Sequence, residues 1–401
     1  MFGLPVSDLN LIFLLGLALG LGFLVGKGTH LMKITGVVGY IFTGVLIGPS
    51  VLGLVQTYQL ETEVVTNFAL GFVAFIIGGN LTRSLVRKMG KSVFAIIVGE
   101  CIAVFALVAV GIYFLTGNLP LALILAALAP ASAPAGAIAV IHEYHAKGKL
   151  TDAIMAVVGF DDGVAVLIYA FSIAIVGVLI SDTIALKDML LNPIIEVGGA
   201  IVLGLISGFF FAFVLRRLHE KEEIITVALT AILLTSGLAI FLGFSLILAG
   251  LTLGMIIINL YPQDNQPVFD HMNSISLPVY ILFFITAGVH LKLGLLTTIG
   301  LVGAVYVVCR IVGKIVGSYL SAVVSDADSV IRDNIGLSIL SQAGVAIGLS
   351  LLAAHKLEVI GMEDLAAIVV TTIAATTIIF EIIGPISARF AIFRAGEAKT
   401  E

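Results

Sequence analysis

Residues 151–180 read TDAIMAVVGFDDGVAVLIYAFSIAIVGVLI, a long apolar stretch with two adjacent aspartates, Asp161 and Asp162, near its middle. A bilayer core about 30 Å thick needs about 20 apolar residues per helix, so this stretch is long enough to cross a membrane. A charged group near the bilayer centre costs about 2.5–3.5 kcal/mol on insertion scales. Two carboxylates retained at that depth predict a functional site inside the membrane.

The composition of the whole chain agrees with this interpretation. Of 401 residues, 60% are hydrophobic and 11% are charged, and the mean hydropathy is +1.20. That leaves too little charged surface for a soluble enzyme, a nucleic-acid-binding protein or a disordered chain. Cys101 and Cys309 both lie in apolar runs, which argues against a disulfide framework and a cysteine metal site. We therefore predict an all-α polytopic membrane protein with no nucleic-acid partner.

Apolar runs of similar size recur along the chain, and we predict about thirteen transmembrane helices. The eighth and ninth are joined only by Phe241 to Ser245. We expect the first to be a retained span, because no small-residue cleavage site follows it in a suitable place. The predicted spans are 9–26, 34–55, 64–81, 92–116, 119–141, 151–180, 192–214, 223–242, 244–260, 275–291, 294–324, 333–355 and 362–388.

Cytoplasmic loops retain Lys and Arg, and this bias orients the chain. With the N-terminus outside, fifteen such residues fall in inner loops and the C-terminal tail, against three, Lys187, Lys292 and Lys356, in outer loops. We therefore predict an outside N-terminus and an inside C-terminus, which requires an odd number of spans. Residues 1–390 would form a single transmembrane domain. Residues 391–401 would form a short cytoplasmic tail, with no room for a soluble regulatory domain.

Six ionisable residues fall within the predicted spans, and each marks a functional hypothesis because of its cost in the membrane. Glu100 and Glu381 are secondary candidates, because helix–helix ion pairing that only fixes packing also explains them. The six residues are Glu100, Asp161, Asp162, Arg310, Lys314 and Glu381.

Depth suggests how these charges pair. Asp161 lies ten residues from the cytoplasmic start of its span, and Lys314 lies ten residues from the cytoplasmic end of its own. Since a helix rises about 1.5 Å per residue, the two residues sit at matching depth. We predict that Lys314 pairs with Asp161. Arg310, one turn further out on the same face, is the alternative partner.

The two aspartates are expected to have different roles. Adjacent residues on a helix point about 100° apart, so Asp161 and Asp162 cannot face the same neighbour. One carboxylate can pair with Lys314 while the other faces a water-filled cavity. A carboxylate in such a cavity can hold a proton or a hard cation, but not both at once. This exclusion is the physical basis of exchange and favours a secondary antiporter.

Two spans carry sequences that interrupt a helix. Span five reads LAPASAPAG at 128–136, where two prolines remove backbone donors and Ser132 adds a hydroxyl between them. Span twelve reads LSQAGVAIG at 340–348, again small and polar. An offset of seven spans is odd, so spans four to six match spans eleven to thirteen with inverted topology, an arrangement that points to a transporter site. The backbone expected to line the site comprises Pro130, Ala131, Ala133, Pro134, Gln342 and Gly344.

Several stretches carry a family resemblance: GYIFTGVLIGPSVLG at 39–53, EYHAKGKLTD at 143–152 followed by GFDDG at 159–163, RIVGKIVG at 310–317, and EIIGP at 381–385. They resemble the monovalent cation:proton antiporter-2 family, which includes Kef-type membrane domains and bacterial or archaeal Na⁺/H⁺ and K⁺/H⁺ exchangers. The resemblance spans roughly residues 10–390. Its most specific part is the Asp pair together with the later Gly-Lys.

The resemblance implies the sodium/proton antiporter fold, with two crossing interrupted helices, and a homodimer in the cell (inner or plasma) membrane. A mobile core, 92–180 and 294–388, would move against a scaffold, 9–81 and 192–291, by elevator-like alternating access. Asp162 would bind the monovalent cation or the proton, and Asp161 would be released from Lys314 when a cation binds. Ser132 and neighbouring carbonyls would complete the coordination.

The resemblance also bears on the transported ions. It implies no cofactor, and its partners would be the monovalent cation, protons, the lipid bilayer and a second copy of the chain. Na⁺ is favoured over K⁺, with Li⁺ as a further candidate. The paired Asp resembles the electrogenic branch, in which two protons exchange for one cation.

Other functions remain open from the residues alone. A sodium-coupled symporter of organic anions would use a similar scaffold, but it needs an organic-substrate pocket that no motif identifies. An intramembrane aspartyl protease needs two carboxylates that share a proton across a cleft. These normally come from separate helices, whereas every other Asp here lies at a span end or in a loop. A channel is disfavoured because no filter-like repeat occurs.

Overall fold

The computed structural model describes residues 11–31, 35–55, 63–83, 90–180, 186–260 and 266–398. These residues form sixteen α-helices and a 3₁₀ turn at Leu293–Leu295, and they contain no β-strand. In chain order the helices are α1 (Leu11–Leu31), α2 (Gly36–Ile47), α3 (Glu63–Asn80), α4 (Lys91–Thr116), α5 (Leu119–Leu128), α6 (Pro134–Glu143), α7 (Lys149–Ile180), α8 (Leu186–Leu215), α9 (Lys221–Phe241), α10 (Leu246–Leu260), α11 (Gln266–Ser274), α12 (Ser276–His290), α13 (Leu296–Val324), α14 (Ser329–Ser338), α15 (Gly344–Val359) and α16 (Glu363–Arg394).

The chain is an all-α, multi-spanning membrane protein. Among the described residues, seven helices are long and apolar enough to cross a membrane, or eight if the pair α11 and α12 counts as one span. Every predicted span contains a helix or a helix pair, but thirteen crossings and the orientation stay predictions. Four basic residues behind the orientation, Lys33, Arg87, Lys88 and Lys399, lie outside the described part of the chain.

Two predicted spans differ from the helices that form. Span two was expected to reach residue 55, but α2 ends at Ile47 because Gly48 and Pro49 turn the chain. Span ten was expected to begin at residue 275, but α11 precedes α12 and meets it at a bend of 53°. The apolar side of α11 is held by Phe269, which stacks on Phe75 at a centroid distance of 5.0 Å.

The helices pack as two groups, with fewer contacts between the groups than within each. One group comprises α4 to α7 and α13 to α16. Its largest interface joins α4 and α13, which run antiparallel. A Cβ on Gly313 would lie 2.7 Å from the Cα of Val104, so only glycine permits this approach. In the other group, a Cβ on Gly254 of α10 would lie 2.1 Å from the carbonyl oxygen of Phe75 in α3.

The first group consists of two units with the same order of elements. Each unit is a long helix, a broken helix and a second long helix: α4, α5 with α6, α7, and then α13, α14 with α15, α16. The breaks cover residues 129–133 and 339–343. The predicted pair of interrupted helices in an inverted repeat is therefore confirmed.

Candidate functional site

The two breaks cross each other inside the first helix group. The N–H of Ala133 donates to the carbonyl of Ser341 at 3.0 Å, and Ser132 Oγ donates to the carbonyl of Ile339 at 3.2 Å. Pro134 is the first residue of α6, where its missing N–H costs nothing. Gly344 likewise begins α15, so both residues lie at the ends of the breaks.

Arg310 binds the backbone of both breaks. On the side of α5 and α6, its Nε donates to Ala129 O at 2.8 Å and its Nη2 to Ala131 O at 2.9 Å. On the other side, Nη1 donates to Leu340 O at 2.6 Å and Nη2 to Ser341 O at 3.2 Å. The guanidinium is fully buried and satisfies carbonyls that the breaks leave without helical partners. Its hydrogen bonds are made to backbone and not to Asp161.

Lys314 lies at the centre of an oxygen cluster. Its Nζ is 3.0 Å from both carboxylate oxygens of Glu100 and 3.2 Å from Asp161 Oδ2. It also donates to Pro130 O at 2.5 Å and to Ser132 Oγ at 2.8 Å. The side chains of the lysine and of both acids are fully buried. The cluster thus joins α4, α7 and α13 to the first break.

Asp162 makes no hydrogen bond with this cluster. It is 1% exposed, and neither carboxylate oxygen has a hydrogen-bond partner among the described residues. An isolated charge is costly in such surroundings, so an unpartnered carboxylate there is suited to hold a proton or a cation.

A cavity of about 430 Å³ lies within one helix turn of Asp162, which does not itself line it. Its walls include Asp152, Met155 and Gly159 of α7, and Asp162 continues that helix face one turn further. The cavity lies between the ends of α3, α6, α7, α10 and α11. Its lining residues are Ile77, Gly79, Asn80, Thr82, Pro134, Ile138, Asp152, Met155, Val158, Gly159, Ile258, Phe269, Asp270 and Asn273.

A second cavity, of about 350 Å³, lies between α2, α12, α15 and α16, and no residue of either break lines it. Beside it, Ser50 Oγ donates to Leu291 O at 2.6 Å. The Lys292 N–H donates to Thr371 Oγ1 at 3.3 Å. These contacts join the loop after α12 to α2 and to α16.

The remaining predicted residues, Gln342 and Glu381, lie apart from the Lys314 cluster. Gln342 donates through Nε2 to Leu128 O at 3.1 Å and to Tyr306 Oη at 2.8 Å. The sequence interpretation missed Tyr306, although it stands one turn before Arg310 on the same face of α13. Glu381 is buried on α16 and makes no ion pair among the described residues, so the structure does not bring it into the Lys314 cluster.

The chain resembles known transporters in sequence and in structure. Residues 12–387 match the profile of the family described as sodium/hydrogen exchanger, transmembrane. The structure of the sodium proton antiporter MjNhaP1 from Methanocaldococcus jannaschii at pH 8 superposes with a TM-score of 0.79, at 20% identity over 96% of this chain and 98% of that one. A second MjNhaP1 structure, from electron microscopy, superposes with a TM-score of 0.77, at 19% identity over 97% of this chain and 99% of that one. No curated protein sequence matches significantly.

Proposed function

Because the chain belongs to the sodium/hydrogen exchanger family and is a transporter that exchanges a cation for protons, we propose that Asp162 is where the two ions compete. The observation that supports this proposal is the buried, unpartnered carboxylate one turn beyond the cavity wall. A cation that enters the cavity would displace the proton of Asp162, and a proton would displace the cation. One carboxylate then carries either ion, which is the requirement for coupled exchange.

Lys314 would act as an internal substitute for the cation. Its ammonium already occupies a group of oxygen atoms from Glu100, Pro130, Ser132 and Asp161. We propose that cation binding weakens the contact between Lys314 and Asp161 and frees Asp161 and Ser132 to coordinate the ion. The lysine would restore the contact when the cation leaves, so that the empty site does not hold uncompensated carboxylates.

The proposed transport cycle uses the two helix groups. The group α4 to α7 with α13 to α16 would be the mobile core, 92–180 and 294–388, and the other helices the scaffold, 9–81 and 192–291. With the N-terminus outside and the C-terminus inside, the cavity below Asp162 opens to the cytoplasm and the structure is an inward-facing state. We place the protein in the plasma (inner) membrane as a homodimer.

The choice of cation is also part of the proposal. Na⁺ is favoured because the solved structures that share this fold are of a sodium proton antiporter. The adjacent Asp161 and Asp162, with Lys314, support the antiporter-2 branch and electrogenic exchange of two protons for one cation. An organic anion is disfavoured because the described cavity lining carries Asp152 and Asp270 and no basic side chain.

Transport in liposomes tests this proposal. The purified protein would be reconstituted with a trapped pH dye, and Na⁺, Li⁺ or K⁺ added outside in separate runs. We expect cation-driven proton movement, strongest with Na⁺, that Asp162→Asn abolishes. Asp364→Asn is the matched control, because Asp364 is an exposed carboxylate in the first turn of α16. Exchange that survives in folded Asp162→Asn protein would exclude Asp162 as the carrier.

A further inference from the structure

The helix that carries Asp161 and Asp162 is capped by a residue from the far end of the chain. Glu397 Oε1 accepts a hydrogen bond from the N–H of Leu150 at 2.8 Å. Glu397 Oε2 accepts from the N–H of Thr151 at 2.8 Å and from its hydroxyl at 2.7 Å. A carboxylate at this position satisfies free N–H groups of the first turn and interacts favourably with the helix dipole.

The end of α16 directs Glu397 to this place. Gly396 has a φ of +71°, and the N–H groups of Gly396 and Glu397 donate back to Phe393 O and Ile392 O. This is the Schellman pattern that ends a helix and reverses the chain. The carbonyl of Glu397 then accepts from the N–H of Lys147 at 3.2 Å, so both its backbone and its side chain bind the start of α7.

Neighbouring contacts hold the same junction. Tyr144, in the loop before α7, packs edge-on against Phe393 at a centroid distance of 5.0 Å, and Arg389 lies over the Tyr144 ring at 5.1 Å. On the other side, Lys149 pairs with Asp328 at 2.5 Å. The Lys149 ammonium and the Val330 N–H hold the pKa of the Asp328 carboxyl below its usual range, which keeps it charged.

We propose that Glu397 is a positioning residue for exchange, because it fastens the N-terminus of α7 to the C-terminal end of α16. Asp162 lies eleven residues after Thr151 on one continuous helix, so the fastening sets its height relative to the breaks. α16 contacts the second break directly, since Gly384 packs on Ser341. It also contacts Arg310, which binds both breaks, because the Phe380 ring centroid lies 4.2 Å from the guanidinium carbon. The inference rests on the role of Asp162 proposed above.

A substitution at Gly148 allows the capping of α7 to be separated from its fastening to α16. Its carbonyl accepts the first hydrogen bond of α7, so it is the N-cap residue. A Cβ there would lie 2.2 Å from the Glu397 carboxylate carbon, so a side chain at 148 would take the place of that carboxylate. In Gly148→Asp/Glu397→Ala, the new Asp caps the helix locally, while the side-chain tie from α16 to the first turn of α7 is lost.

The test measures the apparent KM and Vmax for Na⁺ in proteoliposomes and the Tm in detergent. Glu397→Ala should raise the KM several-fold, because α7 loses its side-chain fastening to α16, and should lower the Tm, because α7 also loses its cap. The double variant should recover the Tm but keep the raised KM. Glu223→Ala, which removes an exposed carboxylate from the first turn of α9, should leave both unchanged.

Two results would overturn the inference: a wild-type KM in Glu397→Ala, or recovery of KM together with Tm in the double variant, which would make Glu397 a helix cap only. If Glu397→Ala does not fold, the double variant alone decides. Asp162→Asn, measured in the same vesicles, tells the two proposals apart. Exchange by that variant would overturn the role of Asp162, whereas a wild-type KM without Glu397 would overturn the fastening alone.

Discussion

Lys314 has more oxygen neighbours than it has protons to donate. An ammonium group has three N–H donors, yet oxygens of Glu100, Pro130, Ser132 and Asp161 all lie within 3.2 Å of its Nζ. The bonds are therefore shared, and a single contact can break while the others remain. This favours an exchange in which Asp161 leaves the lysine while Glu100 keeps it in place.

Removal of the lysine charge should destabilise the fold. In Lys314→Gln the carboxylates of Glu100 and Asp161 stay buried without their cation, and breaking a buried pair in this way costs about 3–5 kcal/mol. We expect a clearly lower Tm in detergent. Lys356→Gln is the control, because that lysine is half-exposed and forms a loose pair with Glu196 at 3.5 Å, so it should change the Tm little. Equal shifts in the two variants would argue against the buried cluster as a source of stability.

At the level of single residues, part of the site could be predicted. Equal depth on two spans lets Lys314 and Asp161 meet when their helices are neighbours, because helix rise is constant. Glu100 is the third member of the Lys314 cluster, and its partner is ambiguous from sequence. A carboxylate on α4 can pair with any neighbouring helix until the α4–α13 contact is known. Arg310 was considered only as a partner for an acid, because a sequence does not show which backbone carbonyls a break leaves free.

At the level of helices, Arg310 is the element that joins the two breaks. A guanidinium presents several donors in a rigid fork, so it can bind carbonyls of both breaks at once, whereas a lysine ammonium is a point donor. Arg310→Lys should therefore keep the charge but lose one side of the crossing, with a lower Tm and a several-fold lower Vmax. Arg217→Lys, in the turn after α8, should behave like the wild type. A wild-type Vmax in Arg310→Lys would show that one break alone suffices to hold the arginine.

Glycines set the distance between helices in the second group. Gly254→Ala would force a Cβ against the Phe75 carbonyl, and such overpacking costs about 1–3 kcal/mol. Gly237→Ala, in α9, has nothing within 4 Å of its new Cβ and should gain up to about 1 kcal/mol from helix propensity. We expect the Tm to fall in the first variant and not in the second. A neutral Gly254→Ala would mean that α3 and α10 can separate at little cost.

How well the elements could be predicted depends on their composition. Pro130 within one break, Pro134 directly after it, and small polar residues in the other break interrupt the apolar runs visibly, so the sequence predicts both breaks. The sequence signal for the early end of α2 is weaker, because the residues after Gly48 and Pro49 are as apolar as those before them. The sequence signal for the bend at Ile275 is weaker still, since α11 is short and polar overall and buries only a narrow side made of Val268, Phe269 and Met272.

For the whole molecule, the two cavities lie at opposite ends of the fold. Gly159 in the wall of the larger one lies one helix turn from Asp162, whereas Lys292 in the wall of the other binds Thr371 on α16. A site open to one side only is what alternating access requires of a single state. The charge bias of the loops predicts that the side with the larger cavity faces the cytoplasm.

Accessibility of single cysteines can test that assignment. In a background with Cys101→Ala and Cys309→Ala, Met155→Cys places a thiol in the wall of the larger cavity, and Lys292→Cys places one in the wall of the other. A membrane-impermeant thiol reagent should label Met155→Cys only in inside-out vesicles and Lys292→Cys only in right-side-out vesicles. The reverse pattern would invert the orientation of the chain. Labelling of Met155→Cys from both sides would contradict a cavity that is closed to the outer solution.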